Sequence, residues 1–181
     1  MMRNQHARWV AQTGIFLAVL VVAQIVTRPL GNSFVTGSLV NMLLILAVMF
    51  CGLSSAATIG AISPIIAALT GMSPFWPFVP VIIAGNLVIV FLWHIIALRR
   101  TERSKAFDIL ALAVGAGAKF LVLYIGIVNL IVPLVLNLEG AQAGVVSAAF
   151  SWPQIVTASI GGLLALLVSP VLAKAMPTVN R

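Results

Sequence analysis

Residue types that do chemistry are scarce in this chain, and one of them stands in an unusual place. Of 181 residues, ten are Lys or Arg, three are Asp or Glu, two are His and one is Cys. Lys119 lies inside an apolar stretch that runs from Ile109 to Leu136. It is about 11 residues, or ~17 Å, from the predicted start of its helix, which is near mid-bilayer for a membrane span. A lysine there costs roughly 2.5 to 3.5 kcal/mol on insertion scales, so something must offset it. Three partners are open: an anionic group on a bound solute, Glu139 folded inward from the next loop, or an interface reached by snorkelling. No other span supplies an acid, because Glu102 and Asp108 are expected at one membrane surface and Glu139 in a loop at the other.

The side-chain amides form the second set. Gln24 and Thr27, Ser38 and Asn41, Asn129, and Gln154 and Thr157 all fall toward the same ends of successive predicted helices, and Asn86 lies about 8 residues, ~12 Å, below that end of its own. Apart from His94, the opposite halves are almost entirely Leu, Ile, Val, Ala and Gly. Each amide alone could simply link two helices, at about 0.6 kcal/mol. As a set they describe a polar pocket open to one side, with Asn41, Asn86, Lys119, Asn129 and Gln154 as its candidate substrate-binding residues. At 100° per residue, Lys119, Val122, Gly126, Asn129, Pro133 and Asn137 are expected on one stripe.

Other chemistries have no residues to carry them. The sequence has no Gly-x-x-x-x-Gly-Lys-Ser/Thr phosphate loop, no His-Glu-x-x-His and no Gly-x-Ser-x-Gly. His6 and His94 are too far apart for one metal site, and the single Cys51 excludes an internal disulfide and a cysteine-based metal centre. Neither a cofactor, nor a metal, nor a catalytic residue is expected. An enzyme is the reading the residues support least.

What must position the polar residues is a membrane bundle. The chain is 62% hydrophobic and 7% charged, against roughly 45–50% and 25% in a soluble domain. At about 20 residues per crossing, the length allows six helices and no soluble domain. Residues 29–98, 70 positions without Asp, Glu, Lys or Arg, are too long for two crossings. They are broken at Gly52-Leu53-Ser54-Ser55 and at Gly71-Met72-Ser73-Pro74-Phe75-Trp76-Pro77. The expected fold is an all-α, six-helix single transmembrane domain over 1–181, with helices near 10–27, 37–52, 55–71, 78–98, 108–136 and 152–173. Residues 9–27, too long for a signal peptide and without a convincing cleavage site, are expected as a retained first helix. A weakly apolar loop is expected before the last helix. Trp9, Trp76, Trp93 and Trp152 fit interfacial belts, although Trp76 and Trp152 could instead cover a ligand.

The net charge of +7 reads as topology, and no nucleic-acid partner is implied. Six crossings gather Arg3, Arg8, Arg99, Arg100, Arg103, Lys105, Lys174 and Arg181 on one side, eight of the ten basic residues. The positive-inside rule then puts both termini in the cytoplasm of a multi-pass protein surrounded by membrane lipid. Small-residue stripes occur at Ala7, Ala11, Gly14, Ala18; at Gly60, Pro64, Ala67, Gly71; and at Ala158, Gly161, Gly162, Ala165, Ser169. Most are expected to be internal packing.

Several segments resemble the S components, the substrate-capture subunits of energy-coupling factor (ECF) transporters. They are Val35-Thr36-Gly37-Ser38-Leu39-Val40-Asn41, Gly60-Ala61-Ile62-Ser63-Pro64, Pro80-Val81-Ile82-Ile83-Ala84-Gly85-Asn86, and Trp152-Pro153-Gln154 ahead of Gly161-Gly162. The resemblance covers essentially the whole chain. It implies high-affinity capture of a vitamin-like small-molecule substrate from outside a prokaryotic plasma membrane, then toppling and inward release on a transmembrane coupling subunit that carries two ATPase subunits. It also implies that Gly14-x-x-x-Ala18 occupies the place of the family's Ala-x-x-x-Ala docking face, with glycine replacing the first alanine. Two other classes stay open from the residues alone. A small channel or facilitator predicts polar residues through both halves of the membrane; a non-transporting assembly subunit predicts no need for Lys119.

Overall fold

A computed structural model of the chain describes residues 2–30, 33–72, 75–99 and 104–175. Ser73, Pro74, Arg100, Glu102, Arg103 and Arg181, used above for turns and topology, lie outside the described residues. The described chain is all helical: α1 (Met2–Thr27), α2 (Ser33–Phe50), α3 (Leu53–Leu69), α4 (Phe78–Trp93), α5 (Lys105–Leu123), α6 (Gly140–Ala149) and α7 (Pro153–Ala175). Two helices continue in wider π turns, α4 through His94–Leu98 and α5 through Tyr124–Val135.

Five segments are long and apolar enough to cross a membrane: His6–Thr27, Ser33–Phe50, Phe78–Leu98, Lys105–Val135 and Gly140–Lys174. The sixth apolar helix, α3, has 17 residues, or ~25 Å. The breaks between helices follow from backbone chemistry. Gly52 and Gly71 turn the chain with φ of 87° and 68°, and Asn137, at φ 46°, stops the α5 extension in the left-handed conformation that Asn tolerates. Where a loop was expected before the last helix, residues 140–149 form α6, which buries none of its residues.

The helices run up and down. The start of α1 meets the start of α3 through Trp9 Nε1, which donates to Ser54 Oγ (3.1 Å), and Thr13 Oγ1, which donates to Ser55 Oγ (2.9 Å). At the other end Thr27 Oγ1 lies 2.7 Å from Thr36 Oγ1 near the head of α2. The apolar core has two parts. One, at the end holding the termini, packs Phe16, Leu20, Leu44–Val48, Ile89, Val90, Trp93 and Ala165. The second, toward the opposite end, packs Phe78 with Leu123, Ile127, Ile131 and Val132.

One placement differs from expectation. Trp93 is no belt residue: it is fully buried, because it sits on the face of α4 that carries Ile89 and Val90 into the core. Asp108 stands in the first turn of α5, at the end of its span, and packs against the protein on the face that it shares with Ala111, Leu112, Gly115, Ala116 and Lys119. The small-residue stripes also divide. Ala158, Gly161, Gly162 and Ala165 face inward, whereas Ala7, Ala11, Gly14 and Ala18 are all exposed. A Cβ on Gly161 would stand 2.5 Å from the Ser38 carbonyl oxygen and 2.7 Å from Asn41 Cβ, so only glycine lets α7 and α2 meet this closely. A Cβ on Gly14 would meet nothing within 4 Å.

Candidate functional site

The site begins with a proline. Pro64 inside α3 has no N–H to give to the carbonyl four residues back, which is that of Gly60. That freed carbonyl accepts from Asn86 Nδ2 on α4 at 3.1 Å, as membrane helices require of any exposed backbone group. Gly60 makes the approach possible, since a Cβ there would already stand 3.3 Å from Asn86 Cβ. With its nitrogen fixed on α3, Asn86 turns its oxygen toward α5.

There Lys119 Nζ donates to Asn86 Oδ1 at 2.8 Å and to Asn41 Oδ1 on α2 at 2.6 Å. All three side chains are buried, Lys119 to 4% exposure and the two asparagines to 1% each. The lysine stem runs beside Gly85, where a Cβ would come within 3.5 Å of Lys119 Cγ. Asn41 is set by the α2–α7 contact at Gly161. One chain of hydrogen bonds therefore ties α2, α3, α4 and α5 together between the two parts of the apolar core. Both acceptors on the ammonium are neutral amides. Glu139 is exposed just ahead of α6 and lies outside the site, and the burial of Lys119 is the opposite of snorkelling.

This network is the floor of a cavity of about 240 Å³. The cavity is lined from Gln24 on α1, Ser33 to Asn41 on α2, Ser63, Pro64 and Ala67 on α3, Ile82 and Asn86 on α4, Lys119 and Leu123 on α5, and Gln154 on α7. It therefore opens at the end of the bundle away from the described termini. From Ser33 at the head of α2 to Asn41 it is about 12 Å deep at 1.5 Å per residue. Phe150 lines it near the mouth, held edge-on by Phe78 with ring centroids 5.3 Å apart. Gln154 donates from Nε2 to the Ala149 carbonyl at 2.9 Å, which fixes the α6–α7 connection beside the cavity. Arg28 donates to the Thr70 and Gly71 carbonyls at 3.2 and 3.0 Å, pinning the last turn of α3 next to Met72, another lining residue.

Of the five residues proposed from sequence, Asn41, Asn86, Lys119 and Gln154 meet in this cavity and Asn129 does not. Asn129 is exposed and absent from the lining. The physical reason is the winding of α5. Beyond Leu123 the hydrogen bonds reach five residues back, as from the Leu136 N–H to the Ile131 carbonyl at 2.9 Å. A helix wound this way holds more residues per turn, so a phase counted at 100° per residue from Lys119 is lost by residue 129. Trp76 and Trp152, at 57% and 62% exposure, do not line the cavity either; Phe150 takes that place.

Sequence reasoning missed Gly60, Ser63 and Pro64 as site builders. The signal was present: a proline inside an apolar helix with glycine four residues earlier announces a free, approachable carbonyl.

No curated protein and no solved structure matches the chain. The family model for the substrate-specific component of the ECF transporter matches residues 8–173, a span that holds every residue of the floor and walls, and the chain belongs to that family.

Proposed function

We propose that this subunit captures a vitamin-like, anionic micronutrient from outside the cell, with Lys119 as the group that takes its negative charge. The observation that carries the reading is a buried lysine Nζ on a cavity floor whose hydrogen-bond acceptors among the described residues are two neutral amide oxygens. A carboxylate supplies the missing countercharge, and a charged hydrogen bond in such a place contributes about 1.5 to 3 kcal/mol. Asn41, Asn86 and Gln154 border the same space and hold the bound molecule or the lysine in position.

Both termini are cytoplasmic in this reading, so the cavity mouth faces outward. The exposed Gly14 and Ala18 present a face on α1 that a partner helix can approach closely. That partner is the transmembrane coupling subunit, with the energy supplied by two ATPase subunits; the chain performs no chemistry itself. A channel is disfavoured, because beneath the floor the bundle is filled by Leu44, Ile45, Leu46, Ile59, Ile89 and Val90.

Native mass spectrometry of the purified protein tests the assignment. A co-purifying small molecule with an acidic group is expected, and the Lys119→Met variant should lose it. A neutral or cationic molecule, retained equally by wild type and variant, would overturn the proposal.

A further inference from the structure

Hydroxyls on these helices mostly turn back on their own backbone. Thr58 Oγ1 donates to the Ser54 carbonyl, Thr70 to Ile66, Ser169 to Leu166 and Thr157 to Gln154. Such back-bonding is the usual way a membrane helix satisfies a hydroxyl. Ser63 departs from it. It is 1% exposed, lines the cavity, and its Oγ has no hydrogen-bond partner among the described residues. Oε1 of Gln24 on α1 is a second buried oxygen of the same cavity without one.

The contacts between helices set these two residues close in depth. α1 and α3 run parallel, with Thr13 on Ser55 and Arg28 on Thr70 and Gly71, partners 42 or 43 positions apart in the chain. Ser63 is therefore level with Val21 on α1, and Gln24 stands three residues, about 4.5 Å, above it. α2 runs the other way, with Thr36 beside Thr27, which brings Asn41 level with Val22. Lys119 Nζ donates to Asn41 Oδ1. Lys119 Nζ, Asn41, Ser63 and Gln24 thus share a layer about one helical turn thick, or ~5 Å, at the foot of the cavity.

The two oxygens ask for complementary chemistry. The Gln24 carbonyl oxygen only accepts, the Ser63 hydroxyl can donate, and buried oxygens of this kind are normally matched. We infer that Gln24 and Ser63 together form one uncharged substrate contact beside Lys119, which takes a neutral group that accepts from Ser63 Oγ and donates to Gln24 Oε1. A hydroxyl does both through a single oxygen; an amide edge does so through adjoining C=O and N–H. The substrate is then a compact hydroxy or amido acid, with its acidic and neutral groups within about one helical turn of each other. The acidic half of this assignment rests on the capture function proposed above; the neutral contact rests on its own two atoms.

Five probes on one ring size separate the groups: cyclopentanecarboxylate (acid), 3-hydroxycyclopentanecarboxylate (acid and hydroxyl), pyroglutamate (acid and lactam), 2-pyrrolidinone (lactam) and cyclopentanone (carbonyl alone). Their dissociation constants are measured by calorimetry on detergent-purified full-length protein, freed of co-purified molecules. The hydroxy acid or pyroglutamate should bind wild type about ten-fold tighter than cyclopentanecarboxylate, the effect of one buried hydrogen bond, and whichever does so identifies the neutral group. Gln24→Leu and Ser63→Ala should each erase most of that ratio and leave cyclopentanecarboxylate within about two-fold. Because Ser63 Oγ makes no bond in the free protein, Ser63→Ala should leave its melting temperature unchanged or raised; lower melting would make the hydroxyl a link between helices and overturn the assignment. Cyclopentanecarboxylate binding no better than cyclopentanone would refute the anionic reading of Lys119, while the 2-pyrrolidinone to cyclopentanone ratio still reports on Gln24 and Ser63. Equal affinity of wild type for the three acids, or a ratio that survives both substitutions, would overturn the inference, as would failure of all five probes to bind wild type at millimolar concentration.

Discussion

Replacing Lys119 by methionine separates the two jobs the lysine does, holding the helices and holding the substrate. The substitution keeps the length of the side chain and removes its charge. In the unliganded protein it deletes the bonds to Asn41 Oδ1 (2.6 Å) and Asn86 Oδ1 (2.8 Å). Two charged hydrogen bonds are together worth about 3 to 6 kcal/mol. Against this, the variant no longer carries an ammonium into the membrane, which relieves roughly 2.5 to 3.5 kcal/mol. The net change therefore runs from a gain of about 0.5 to a loss of about 3.5 kcal/mol, and Lys119→Met should insert, purify as one species and melt at most modestly lower. The substrate gains no such relief. Removing one member of a buried charged pair strands the other at a cost of about 3 to 5 kcal/mol. Affinity should then fall by roughly 100-fold to several thousand-fold at 1.4 kcal/mol per factor of ten. Titration calorimetry in nanodiscs reads the binding and differential scanning fluorimetry the fold, using the molecule identified by native mass spectrometry. Equal affinity in wild type and variant, with the fold intact, would show that the ammonium only braces α2, α4 and α5, and the anionic-substrate argument would be wrong.

The remaining expectations concern the frame around the floor. In a Cys51→Ala background, a cysteine at Lys105 should resist an impermeant thiol reagent applied to intact cells and one at the exposed Gln142 should react; the reverse labelling would invert the topology. Gly14→Leu with Ala18→Leu should abolish uptake by the assembled transporter while leaving substrate binding intact, and surviving uptake would remove this face from the coupling interface. Gly161→Ala forces a Cβ against the Ser38 carbonyl and Asn41, so it should destabilise by about 1 to 3 kcal/mol and weaken binding through the displaced asparagine. Gly14→Ala, made in open space, should leave both the melting temperature and binding unchanged.

Much of the architecture was legible from residue type alone. A bilayer span needs length and apolarity, and both are properties of a segment in isolation, so the helices could be read from composition, with Gly52 and Gly71 marking two of their breaks. Lys119 also announced itself, because a charge in an apolar run requires a partner wherever the helix ends up. So did Asn41, Asn86 and Gln154, through their depth along neighbouring helices.

The rotation of each helix about its own axis was decided only by the tertiary structure. In water a polar face points outward and fixes that rotation; in lipid the outer face is as apolar as the core, and the stripe that would orient the helix is missing. The sequence therefore could not tell that Trp93 turns inward, that the stripe containing Gly14 turns outward while the one containing Gly161 packs on α2, or that Asn41 meets Lys119 across 78 residues. Asn129 was misplaced for a related reason, since the change from α to π winding after Leu123 is a property of the packed helix, not of a residue count. Ser63 belongs here too. Whether a hydroxyl folds back on its own carbonyl or faces a cavity depends on the wall opposite, and only the assembled bundle supplies that wall.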